Sequence, residues 1–198
     1  NSLIRTIKWG MIENYRFIMA NSIVKNLNVN HSFHFFDSGK GAFADEITLS
    51  FNTFTNVTGD ILRLDKEIED LGIYNAEYVT LEGNHFNTVE GALVKLYRGG
   101  TDESTFGPHI NMNDNKLTNV GLGKRNKSKS SLYLHGVQVT NLFDNTLNTT
   151  APITVEHTVG EPKTEIKGNV LSQKISVVEL RVSGPHTAKL SNNQVISK

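Results

Sequence analysis

A limited set of side chains in this sequence could grip an anionic polymer if the chain brought them to one face. Short apolar segments carry polar residues at alternate positions. One series reads Arg63, Lys95, Tyr133, Thr154 and Glu179, and the next reads Asp65, Tyr97, His135, Glu156 and Arg181. Lys66, Arg98 and His157 adjoin them. Guanidinium and ammonium groups pair carboxylates, and imidazoles gain charge as pH falls. The combination suits an acidic polysaccharide, with Arg98, Lys95, His135, Glu156 and His157 as candidate binding residues. The plainer reading is that polar residues face outward from any soluble scaffold.

Other chemistries find less support. The run Tyr97-Arg-Gly-Gly-Thr-Asp-Glu-Ser-Thr-Phe-Gly-Pro108 is rich in turn formers. It reads either as a glycan-contacting or docking loop, or as a loop held shut by an Arg98–Asp102 pair. Histidines at strand ends could ligate zinc, but no H-x-x-x-H pair occurs. Asn111, Asn113, Asp114 and Asn115 resemble part of a calcium loop, yet its glycine and terminal glutamate are missing. The segment Lys124-Arg-Asn-Lys-Ser-Lys129 holds four cations and no acid; it reads as a solvated loop or as a contact for an anionic polymer. There is no phosphate-binding glycine loop, no nucleophile elbow and no paired aspartates for glycoside hydrolysis. No metal ligand or cofactor is expected in this chain.

The elements that would position these residues come from a repeat. The pattern apolar-x-apolar-x-x-Asn-x-apolar appears as Ile47, Leu49, Asn52, Phe54, as Val79, Leu81, Asn84, Phe86, and as Ile110, Met112, Asn115, Leu117. Looser copies surround Asn145, Asn169 and Asn193. A second short apolar strand follows each asparagine, read as Ile61 to Leu64, Leu93 to Leu96, Leu132 to Leu134, Ile153 to Val155 and Val177 to Leu180. Such strands are too short to stand alone, but stacked at about 4.8 Å they pair every backbone group and share one core. This predicts an all-β fold, a right-handed parallel β-helix (a solenoid) with asparagine-bearing turns. Asn52, Asn84, Asn115, Asn145 and Asn169 should stack in one column, because asparagine tolerates the left-handed conformation and its amide reaches the coils above and below. A β-sandwich with ordinary loop asparagines is the alternative. Length differences between coils fall in insertions, most of which leave after the second strand and rise from one edge.

Composition sets wide bounds. The chain has 198 residues, room for one core, and reads as a single domain over 1–198. Lys+Arg and Asp+Glu are both 20, so no global charge points to nucleic acid or an acidic membrane. Cysteine is absent, which excludes disulfides and thiolate chemistry. No run is apolar for long enough to make a membrane-spanning helix. The apolar residues Ile4, Ile7, Trp9 and Ile18 predict an open coil end that needs a cap.

The run from Tyr97 to Pro108, with Tyr74-Asn-Ala-Glu-Tyr-Val79 before it and Leu134-His-Gly-Val-Gln-Val139 and Val155-Glu-His-Thr-Val-Gly160 after it, resembles polysaccharide lyase family 6, which holds alginate lyases and chondroitinase B. The likeness runs from about Ile47 to the end. It points to the C-terminal β-helix region of the two-domain alginate lyases. The resemblance implies a part of a larger, secreted or periplasmic bacterial lyase that cleaves uronate polymers by β-elimination. Calcium would neutralise the carboxylate, a lysine take the C5 proton and an arginine assist the leaving oxygen, all in the N-terminal β-helix. No stretch here matches that lysine and arginine motif, so no catalytic residue is carried over. The implied partners are an alginate-like polysaccharide and the N-terminal β-helix of the same enzyme, with a homodimer left open. A binding module or a purely structural solenoid is the alternative.

Overall fold

The computed structural model describes residues 12–27, 35–37, 42–64, 76–100, 107–182 and 184–196. Asp65, Lys66, Asp102 and the apolar residues Ile4, Ile7 and Trp9 lie outside them.

Apolar residues recur at fixed offsets, and the chain winds so that each turn lays its strands on those of the turn before. Three parallel sheets result. The first stacks Ile12–Ala20, Ala42–Ser50, Ala76–Glu82, His109–Asn113, Val139–Phe143, Lys163–Lys167 and Thr187–Ser191. The second stacks Ile23–Leu27, Thr53–Val57, His85–Val89, Lys116–Val120, Thr146–Thr150, Val170–Leu171 and Gln194–Val195. The third stacks Phe36–Asp37, Leu62–Leu64, Val94–Tyr97, Leu132–His135, Ile153–His157 and Ile175–Glu179. This is a parallel β-helix. A complete coil has three strands rather than the two expected, because the residues after each asparagine form a strand of their own.

Inward positions fill the space between the sheets in columns. Leu49, Leu81, Met112, Leu142, Ile166 and Leu190 align in the first sheet, and Phe54, Phe86, Leu117, Leu147, Leu171 and Val195 in the second. Phe54 and Phe86 stack with ring centroids 5.2 Å apart. Burial of such columns supplies most of the driving force for folding. At the last coil the same columns meet solvent: Leu190 is 48% exposed and Val195 53%. Ile18 is also exposed. It pairs with Thr48 on the outward face rather than lying in the core.

The corner between the first and second sheets carries the asparagines. Asn52, Asn84, Asn115, Asn145 and Asn169 are all buried. Each Nδ2 donates to the Oδ1 of the next asparagine, at 3.1, 2.9, 3.0, 2.9 and 2.9 Å, and the series ends on Asn193. Each Nδ2 also donates back to a first-sheet carbonyl of the preceding coil, such as that of Leu49 for Asn84. The left-handed backbone falls one residue earlier than expected, at Asn21, Phe51, Gly83, Asp114, Asp144, Gly168 and Asn192. The ladder asparagine is thus selected for its amide, and its neighbour bears the turn.

Candidate functional site

The third sheet was expected to present the polar stripe. Its outward column is Asp37, Arg63, Lys95, Tyr133, Thr154 and Ser176, and the next holds Tyr97, His135, Glu156 and Val178. Glu179 does not continue the first column: it pairs with His157, three residues out of the expected register. Arg181 follows the strand rather than joining the second column. The run Val177-Val178-Glu179-Leu180 has apolar residues at both parities, so its phase was open.

Hydrogen bonds and ion pairs within the fold occupy most of this stripe. Arg63 Nη1 lies 3.5 Å from Asp37 Oδ2. Lys95 Nζ lies 3.6 Å from Asp60 Oδ2, and the Lys95 side chain is only 15% exposed. Asp60 is itself buried and accepts the Ala92 N–H at 2.7 Å. Glu156 Oε2 accepts the Tyr133 hydroxyl at 2.8 Å and meets His135 Nδ1 at 2.6 Å. A carboxylate only accepts, so His135 carries its proton on Nδ1. The Tyr97 ring lies over His135 at 4.3 Å, 2° from coplanar. His135 is buried, and its Nε2 has no hydrogen-bond partner among the described residues.

Arg98 and His157 do not face a ligand. Arg98 is 1% exposed, and its Nη1 donates to the Gly107 carbonyl at 3.2 Å, so it ties the two ends of its loop. The expected partner Asp102 lies outside the described residues. His157 is fully buried, since alternation from Ile153 and Val155 points it inward. Its Nε2 lies 2.8 Å from the Thr164 hydroxyl. Burial, reinforced by the nearby His186, holds its pKa below the usual imidazole value, against an opposing pull from Glu179. His186 is raised instead, by the Gly184 carbonyl and by Glu179 at 2.8 Å.

Two other surfaces have the residues for chemistry. A shallow cleft of about 410 Å³ on the first sheet is lined by Arg16, Asp45, Glu46, Tyr78 and Thr80. Its two carboxylates outweigh its one guanidinium, which makes it a poor seat for a polyanion. The second surface is the loop 121–131, where Lys124, Arg125, Lys127 and Lys129 are all exposed. Among the described residues no group of three or more histidine, aspartate or glutamate side chains is placed to hold a metal ion.

No protein-family profile matches the chain, and no curated protein is similar to it. Among solved structures it is similar to one described as the PL6 family alginate lyase AlyGC. The TM-score is 0.86 and the sequence identity 49%, over 92% of this chain and 26% of that one. The chain thus spans about a quarter of the length of the solved enzyme. Strand stacking, the asparagine ladder and identity at this level along almost the whole chain agree: the chain belongs to polysaccharide lyase family 6.

Proposed function

We propose that this chain is a supporting β-helix of an alginate-lyase-like polysaccharide lyase, acting on a uronate-containing polymer cleaved by β-elimination. The observation that carries the reading is the 49% identity with a PL6 alginate lyase across 92% of the chain. Elimination needs a base that reaches the proton beside the uronate carboxylate, and a cation that meets the charge developing there. Lys95 and Arg98 are the nearest to such a pair, but Lys95 is held by Asp60 and Arg98 is buried within its loop base. The reading therefore assigns the chemistry, with its calcium, to an N-terminal β-helix of the same enzyme. This chain is then the C-terminal region, in a secreted or periplasmic bacterial protein.

The test compares the chain alone with a chimaera in which it replaces its counterpart in the solved PL6 alginate lyase. Both are given alginate, and the unsaturated product is followed by its ultraviolet absorbance. Product from the chimaera and none from the chain alone is the expected result. Product from the chain alone would place an elimination site here and overturn the division of labour.

A further inference from the structure

We infer that the loop 121–131 is a docking site for the anionic polysaccharide, held in shape by Asn126. This rests on the reading above for the identity of the polymer, and its own support is geometric. At the corner between the second and third sheets, neighbouring coils need little chain. Residues 90–93 and 151–152 suffice in the coils on either side, whereas the coil between them carries the longer insertion 121–131. The stacking of the solenoid does not require it, since coils on both sides close without one.

The insertion has its own internal order. Asn126 is buried, and its Nδ2 donates to the carbonyls of Gly121 at 2.8 Å and Ser130 at 2.9 Å, so it pins both ends. Its Oδ1 accepts the Ser128 hydroxyl at 2.7 Å. Ser130 Oγ then meets Thr154 Oγ1 of the third sheet at 2.8 Å. Around this clamp Lys124, Arg125, Lys127 and Lys129 all reach solvent. None of the four makes an ion pair with a described residue.

A chain with no net charge has here gathered four cations on one fixed loop, while its third-sheet cations are neutralised within the fold. Exposed cations on a pre-shaped loop suit a flexible polymer with one carboxylate on each sugar. Each contact is weak, and their number and fixed spacing make the affinity. Lysines and an arginine without aromatic partners read charge rather than bases, so a polyuronate fits better than a single-stranded nucleic acid, which would want stacking platforms.

The experiment measures binding of a sodium alginate oligosaccharide by calorimetry. A loop variant carries Lys124→Gln, Arg125→Gln, Lys127→Gln and Lys129→Gln. A charge-matched control carries Lys163→Gln, Lys167→Gln, Lys174→Gln and Lys189→Gln, exposed cations elsewhere on the rod. Four exposed pairs predict a loss of about tenfold or more for the loop variant and a shallower salt dependence. The control should change less than about twofold by the same reckoning. Asn126→Ala keeps every charge and should also weaken binding, because the loop loses its clamp. Equal losses in the loop and control variants would reduce the effect to net charge and overturn the inference. So would unchanged binding in the loop variant, or tighter binding of a ribonucleotide oligomer than of alginate. Failure of the chimaera to cleave alginate, with loop-dependent binding intact, would count against the proposed function alone.

Discussion

Replacing Asn84 with alanine tests the ladder at its centre. The side chain makes four hydrogen bonds. It donates to the Leu49 carbonyl at 2.8 Å and to Asn115 Oδ1 at 2.9 Å. It accepts the Asn52 backbone N–H at 2.9 Å and Asn52 Nδ2 at 3.1 Å. Two of the four partners keep another bond: Asn115 Oδ1 still accepts the Asn84 N–H, and Asn52 Nδ2 still reaches the Met19 carbonyl. The buried Asn52 N–H loses its acceptor and the Leu49 carbonyl loses this donor. Each buried group left unsatisfied costs about 1–3 kcal/mol, so Asn84→Ala should cost about 2–5 kcal/mol. In a chain of this size that lowers the melting temperature by roughly 5–15 °C. Asn87→Ala, on the exposed face of the next strand, should stay within about 0.5 kcal/mol. Thermal and denaturant melts on both variants make the comparison. If Asn84→Ala melts together with Asn87→Ala, the ladder contributes nothing and the reasoning fails.

Two further outcomes follow from packing and charge. A Cβ at Gly91 would lie 2.4 Å from the Gly59 carbonyl carbon and 2.5 Å from the Asp60 nitrogen, so Gly91→Ala must push two coils apart. It should cost about 3 kcal/mol or more in denaturant melts, whereas Gly184→Ala, whose nearest neighbour would lie at 3.0 Å, should cost far less. The folded state holds the His157 pKa below its unfolded value, so its contribution to stability is complete above the ordinary imidazole pKa and is lost as pH falls toward the folded one. His186 contributes with the opposite sign. Melts between neutral and mildly acidic pH should therefore show stability falling with pH through His157, and His157→Phe should flatten that slope. An unchanged slope in that variant would locate the acid sensitivity elsewhere.

The ladder and the first-sheet core are readable because amide and apolar residues return at a constant offset in each coil. The second sheet escapes the same reading. Its strands place a left-handed residue at the fourth position, Asn26, Asn56, Thr88, Asn119 and Thr149, and that breaks the two-residue alternation on which strand recognition rests. Arg98 and His157 adjoin the polar columns in the sequence and so count as candidate binding residues, yet alternation from Val155 already places His157 in the core. The burial of Arg98 was not readable, since it depends on a carbonyl nine residues away across a loop. Asn126 gave no signal either, because an asparagine inside a cationic run looks like solvated loop until its two carbonyl partners are seen.

The central claim, that this chain supports a lyase without carrying its chemistry, is tested most directly in the chimaera with Lys95→Met and His135→Gln introduced together. Both side chains make internal contacts, with Asp60 and with Glu156, so the variant should melt at lower temperature. Its turnover of alginate per folded molecule should match that of the unsubstituted chimaera. A collapse of turnover with the melting temperature unchanged would contradict the account.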